Sequence, residues 1–181
     1  MIRATVRTIR RTATGVFVLF VCLAALAGPA SASGDAKIKV AGATEEHKEQ
    51  VRTMLHAVAT GLGGLLANRQ NEAERIELIR SFVAPIRFYP DKSGYFYVYD
   101  SKCVNIAHAI QKELQGKNLY NYQDVKGTYV IRSLHETAKK GGGFVNFYWV
   151  KPGAKTESAK IGYVEPIPGT DYFIGTGLYL R

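Results

Sequence analysis

Thiols are nearly absent from this sequence. Its 181 residues hold two cysteines, Cys22 and Cys103, which excludes a disulfide-stapled fold. Neither lies in a C-x-x-C pair or a haem-attaching C-x-x-C-H. Also missing are H-E-x-x-H, G-x-S-x-G and a phosphate-cradling G-x-x-x-x-G-K. The four histidines, at positions 47, 56, 108 and 135, never stand three or four residues apart, so a helical two-histidine metal site is excluded. No apolar run approaches the roughly 20 residues of a membrane-spanning helix. These absences predict a protein that is not an enzyme and carries no cofactor or metal. The content of 46% apolar residues excludes a disordered chain, a coiled coil and a collagen-like fibre, and it is enough for one ordinary domain.

The formal charge of +9 is unevenly placed. Arg3, Arg7, Arg10 and Arg11 precede any acidic residue, the first being Asp35, so residues 33–181 keep a net charge of only +5. Residues 1–32 have the three parts of a secretory signal: the arginines, an apolar stretch Val16–Ala27, and the small-x-small Ala30-Ser31-Ala32. The stretch, about a dozen residues long, is short for a permanent anchor. The expectation is a cleaved signal over 1–32, a flexible leader over 33–43, one domain over 44–181, and a periplasmic or secreted destination. If the segment were retained, the protein would be membrane-anchored. Export argues against nucleic-acid partners, and cleavage would leave Cys103 as the single thiol.

From Thr44 the apolar residues Val51, Leu55, Val58, Leu62, Leu65 and Leu66 recur at helical spacing. Gly61, Gly63 and Gly64 predict a kink or a close packing contact within that helix. Asn71 with Glu74 is a capping-box pattern opening a second helix, which Pro85 ends. Strand character begins at Tyr95–Tyr99 after the Pro90–Gly94 turn, and Asp100-Ser101-Lys102 turns the chain into Val104–His108. Residues 109–127 are irregular, Thr128–Lys140 is helical, and Gly141-Gly142-Gly143 stops that helix. Strands are predicted at Phe144–Val150, Lys160–Glu165 and Tyr172–Leu180. The fold class is α+β: five strands, an N-terminal helix on one face and a loop-helix crossover on the other.

All eleven tyrosines lie at or beyond Tyr89, and Trp149 is the single tryptophan. Alternation along a strand puts Tyr95, Tyr97 and Tyr99 on one face, and Phe147 with Trp149 opposite to Tyr148. Such residues either pack a half-exposed sheet or wall a small pocket with a polar guest. His108, Arg132, Lys151 and Lys160 are the cations that could neutralise a carboxylate taken out of water. Each also has a plain reading, as a solvated surface charge or, for His108, a satisfied core histidine.

An ordered series of motifs now resembles a known family. It runs through Gly94-Tyr95-Phe96-Tyr97-Val98-Tyr99-Asp100, Ala107-His108, Leu114–Leu119, Asp124–Gly127, Gly142–Val145, Tyr148–Gly153, Lys160–Val164 and Ile174–Tyr179. Across Thr44–Tyr179 the chain resembles the single Cache domain of type 2, a PAS-like extracytoplasmic sensor module of chemoreceptors and histidine kinases. The resemblance implies a five-stranded antiparallel sheet with a long N-terminal helix. It also implies a short organic acid (acetate, propionate, pyruvate or lactate) held between sheet and crossover. The site residues it implies are Tyr97, His108, Tyr148, Trp149, Lys151, Lys160 and Tyr163, although Tyr148 and Trp149 point to opposite faces and do not both reach one ligand. Two positions depart from the pattern: Cys103 replaces a usual glycine, and Ala109 a usual proline. Receptor members continue into a second membrane helix and an output domain, whereas this sequence stops at Arg181. The expectation is therefore a free-standing module that presents its ligand to a receptor or transporter, with homodimerisation through the N-terminal helix. The rival readings are a ligand-free interaction or dimerisation scaffold of the same fold, and an enzyme built on Cys103 or His108.

Overall fold

Thr44 opens the first helix of the computed structural model, which describes residues 43–180. The signal segment, and all but the last residue of the leader expected over 33–43, lie outside the described residues. The Thr44 side chain accepts from the His47 amide at 3.2 Å, and the His47 ring returns to the Thr44 backbone, closing a capping box. Helix α1 then runs unbroken over Glu45–Leu66 and buries Val51, Leu55, Ala59, Leu62 and Leu66 along one stripe. Of the two roles expected for its glycines, Gly63 fills the packing role. A methyl group there would stand 2.8 Å from the carbonyl oxygen of Pro168, while Gly61 and Gly64 face open space. Helix α2 spans Glu72–Val83, and Asn71 Oδ1 caps it by accepting from the amides of Ala73 and Glu74. Its start departs from the expected capping box, because the Glu74 carboxylate turns to Arg69 at 3.9 Å.

The strands are β1 Tyr97–Asp100, β2 Asn105–His108, β3 Gly143–Val150, β4 Glu157–Pro166 and β5 Tyr172–Tyr179. They form one antiparallel sheet in the order β2-β1-β5-β4-β3. Strand β1 begins two residues later than the tyrosine pattern suggests. The carbonyl of Tyr95 is taken by the Thr176 hydroxyl at 2.7 Å instead of a ladder amide. Strand β4 starts three residues earlier, since Glu157, Ser158 and Ala159 pair with Val150, Trp149 and Tyr148.

Alternation along the strands divides the interior into two cores. Phe96, Val98, Ile106, Tyr163 and Ile174 face α1 and α2, with Leu55, Leu62 and Ile79 against them. Tyr95, Tyr97, Tyr99, Phe147 and Trp149 face the other way, toward Val130, Ile131 and Leu134 of α3, Val130–Lys139. Between β2 and α3 the chain makes a single 3-10 turn, Lys112–Leu114. Two carboxylates tie this crossover to the sheet edge. Asp124 accepts from the amides of Lys126, Thr128 and Tyr148, and Glu157 accepts from the Tyr122 hydroxyl and the Val125 amide. Among the described residues no helix is long and apolar enough to cross a membrane.

Candidate functional site

A small cavity lies between the sheet and α3. Tyr95, Tyr97, Tyr99, His108, Val130, Ile131, Leu134, Phe147, Trp149 and Lys160 line it. Each strand contributes through its pleat. Tyr97 and His108 are directly paired across β1 and β2, so their side chains rise from the same face. Lys160 is paired with Phe147 across β4 and β3. Two glycines make room for the wall's rings: a methyl at Gly175 would overlap the Tyr97 ring, and one at Gly162 would come within 2.7 Å of Phe147. The free room is about 10 Å³, enough for about one water.

The polar groups around this room are of one kind. Lys160 is 1% exposed and, among the described residues, has no carboxylate within ion-pair distance. Its Nζ donates to Tyr95 Oη at 3.0 Å and stands over the rings of Tyr95 at 4.1 Å and Tyr179 at 4.7 Å. The hydrogen-bond chain beyond it has a fixed direction. Tyr179 Oη donates to the Val150 carbonyl at 2.8 Å, so Tyr95 Oη donates to Tyr179 and uses its own lone pair for the lysine. Burial of an ammonium that has only ring faces and one hydroxyl for company pulls the Lys160 pKa down to about 7.

His108 is equally buried. Its Nδ1 accepts from the amides of Ile110 at 3.3 Å and Gln111 at 2.9 Å, so the ring proton resides on Nε2. Among the described residues that Nε2–H has no partner, and neither does the buried hydroxyl of Tyr97. Burial first, then the charges of Lys160 and Arg87, push the His108 pKa down to about 3, so the ring is a neutral donor at physiological pH. Trp149 is different: its indole N–H is already taken by Gln111 Oε1 at 2.7 Å.

Of the seven residues the family pattern pointed to, the structure gathers four at the cavity: Tyr97, His108, Trp149 and Lys160. The other three stand elsewhere. Tyr163 is turned by the β4 alternation to the opposite face, where its ring packs on Phe144 at 4.7 Å and lies under Arg52 of α1. Tyr148 is turned away by the alternation of β3, and Lys126 lies over its ring at 5.8 Å. Lys151, one residue past β3, is ion-paired with Asp91 at 2.8 Å. Arg132 is also spent: its guanidinium is held between the rings of Tyr120 and Tyr129 at 4.2 and 4.0 Å. The residues the family pattern left out are Tyr95, Tyr99, Phe147 and the three apolar residues of α3. Alternation marked Tyr95, Tyr99 and Phe147; nothing in the α3 sequence separates a cavity wall from ordinary core.

The two departures from the family pattern acquire a physical account. Cys103 sits in the left-handed region with φ of 63°, a conformation that favours glycine. It is fully buried, and burial pushes its thiol up to about 11, the opposite of a reactive nucleophile. The amide of Ala109 donates to the Phe96 carbonyl at 3.3 Å, a bond that a proline could not make. His108 is held in place by the amides of Ile110 and Gln111.

Known proteins share this architecture. Residues 39–181 match the family model described as Cache domain. Over 89 residues the chain is 38% identical to the sensor histidine kinase MctS of Rhizobium johnstonii, an alignment covering 49% of this chain and 19% of the kinase. The chain therefore spans about a fifth of that relative's length. The crystal structure of a methyl-accepting chemotaxis protein from Vibrio parahaemolyticus matches with a TM-score of 0.66 and 31% identity, over 75% of this chain and 89% of that one. A Cache chemosensory domain described for its carboxylic acid recognition matches with a TM-score of 0.67 and 25% identity, over 76% and 95% of the two chains. With the family model matched over nearly the whole described region, and with the motif series mapped onto its sheet, this chain belongs to the Cache domain family.

Proposed function

We propose that the protein is an exported, non-catalytic sensor module that binds a short organic acid between its sheet and crossover. It then presents the bound state to a receptor or transporter outside the cytoplasm. The observation that carries the reading is a buried lysine that has no counter-charge among the described residues, beside two buried donors that have no acceptor among them, all lining one cavity. Unpaired buried polar groups are costly, and a carboxylate would satisfy all three at once. The likeness to a Cache domain that recognises carboxylic acids supports the same class of ligand. Pairing of two copies through the exposed side of α1, where Leu65 is 51% exposed, belongs to the proposal as well.

A thermal-shift screen against acetate, propionate, pyruvate and lactate tests the reading. A ligand at a hundredfold excess over its dissociation constant stabilises the folded state by about 2.7 kcal/mol, a shift easily read. One observation favours a second reading: the free room is only about 10 Å³, less than an organic acid needs. If no acid shifts the transition, the protein is a ligand-free interaction or dimerisation scaffold with the same fold.

A further inference from the structure

The cavity's hydrogen-bonding inventory restricts its guest further, given the carboxylate reading above. Lys160 carries three hydrogens when protonated, and Tyr95 takes one, leaving two. His108 Nε2–H and the Tyr97 hydroxyl bring the unpaired donors to four. A carboxylate offers four lone-pair sites on two oxygens, which matches that number. Acceptors are another matter. The Tyr95 oxygen is taken by Lys160, the Tyr179 oxygen by Tyr95, and the Gln111 oxygen by Trp149. Asp100, the acid next to Tyr99, accepts from the amides of Lys102 and Val104, and Glu157, shortly before Lys160, accepts from the Tyr122 hydroxyl and the Val125 amide. Val130, Ile131, Leu134 and Phe147 complete the wall with hydrocarbon.

We infer that the site accepts only an acceptor-rich anion of single charge. Its guest is a short monocarboxylate with hydrogen or a keto oxygen at C2, and the matching 2-hydroxy acid binds more weakly, while the 2-amino acid is excluded. A keto oxygen is a further acceptor and asks no acceptor of the wall. A 2-hydroxyl adds a donor for which the lining offers the unpartnered Tyr97 oxygen, the likewise unpartnered Oδ1 of Asn105 belonging to a residue outside the lining. A 2-ammonium adds three donors and a second positive charge beside Lys160, in a site where charges are poorly screened.

Four ligands with the same three-carbon skeleton isolate the C2 group: propionate, pyruvate, L-lactate and L-alanine, each titrated calorimetrically into the full protein at pH 6. The inference expects binding of propionate and pyruvate, lactate weaker than pyruvate by about tenfold or more, and no heat from alanine. Lactate or alanine binding within threefold of pyruvate would overturn the inference while leaving the carboxylate reading intact. Heat from none of the four would overturn the carboxylate reading itself, and the inference with it.

Discussion

Lys160 carries an electrostatic cost that depends on pH. Its folded-state pKa is lowered to about 7 from 10.5 by burial, so between those values the unfolded chain binds the extra proton. Stability rises with pH wherever the unfolded state binds more protons, and is indifferent to this group below pH 7, where both states are protonated. Lys160→Met keeps most of the stem and removes the charge. At pH 6 the variant should be more stable than wild type, by on the order of 1–4 kcal/mol. That advantage should shrink steadily as pH rises from 7 to 10, as urea denaturation at a series of pH values would show. A pH-independent difference between the two proteins would mean that the lysine is not a buried charge. His108 adds nothing over that range, because its folded pKa of about 3 and its ordinary value of 6.5 both lie below it.

Helix α1 offers a test at the scale of the element. Its three glycines have the same cost in an isolated helix but different surroundings here. Gly61→Ala and Gly64→Ala add a methyl in open space and should each stabilise by about 1 kcal/mol. Gly63→Ala drives a methyl against the Pro168 carbonyl and should destabilise by about 1–3 kcal/mol. Thermal denaturation of the three variants would show opposite signs; equal signs would mean that α1 does not seat on the β4–β5 turn as described. The sequence made all three helices and all five strands legible, because helical and alternating periods are strong signals over such lengths. Strand ends were less legible: nothing local to Tyr95 announces that Thr176, far along the chain, takes its carbonyl. The site was legible in the same uneven way. Tyr97, His108, Trp149 and Lys160 are reached by motif and by face. Tyr163, three residues from Lys160, was expected in the pocket, yet strand parity alone sends it to the other core. Lys151 was expected for its charge, and only the folded chain shows Asp91 taking it.

At the scale of the molecule, the sheet separates two layers with different jobs. The α1–α2 layer is closed by aliphatic packing, with Leu55, Leu62 and Ile79 fully buried. The α3 layer covers donors that lack acceptors, and it is attached through Asp124, Glu157 and the Gln111–Trp149 bond. With about 10 Å³ free, an acid enters only if this second layer moves outward. Occupancy of the cavity would thus be converted into displacement of α3 and the crossover, a signal available at the surface to a partner. The most direct test is a crystal structure of the protein grown with pyruvate. The account predicts the carboxylate within about 3 Å of Lys160 Nζ, His108 Nε2 and Tyr97 Oη, with α3 shifted away from an unchanged sheet. A cavity still closed, with pyruvate bound elsewhere or absent at saturating concentration, would contradict it.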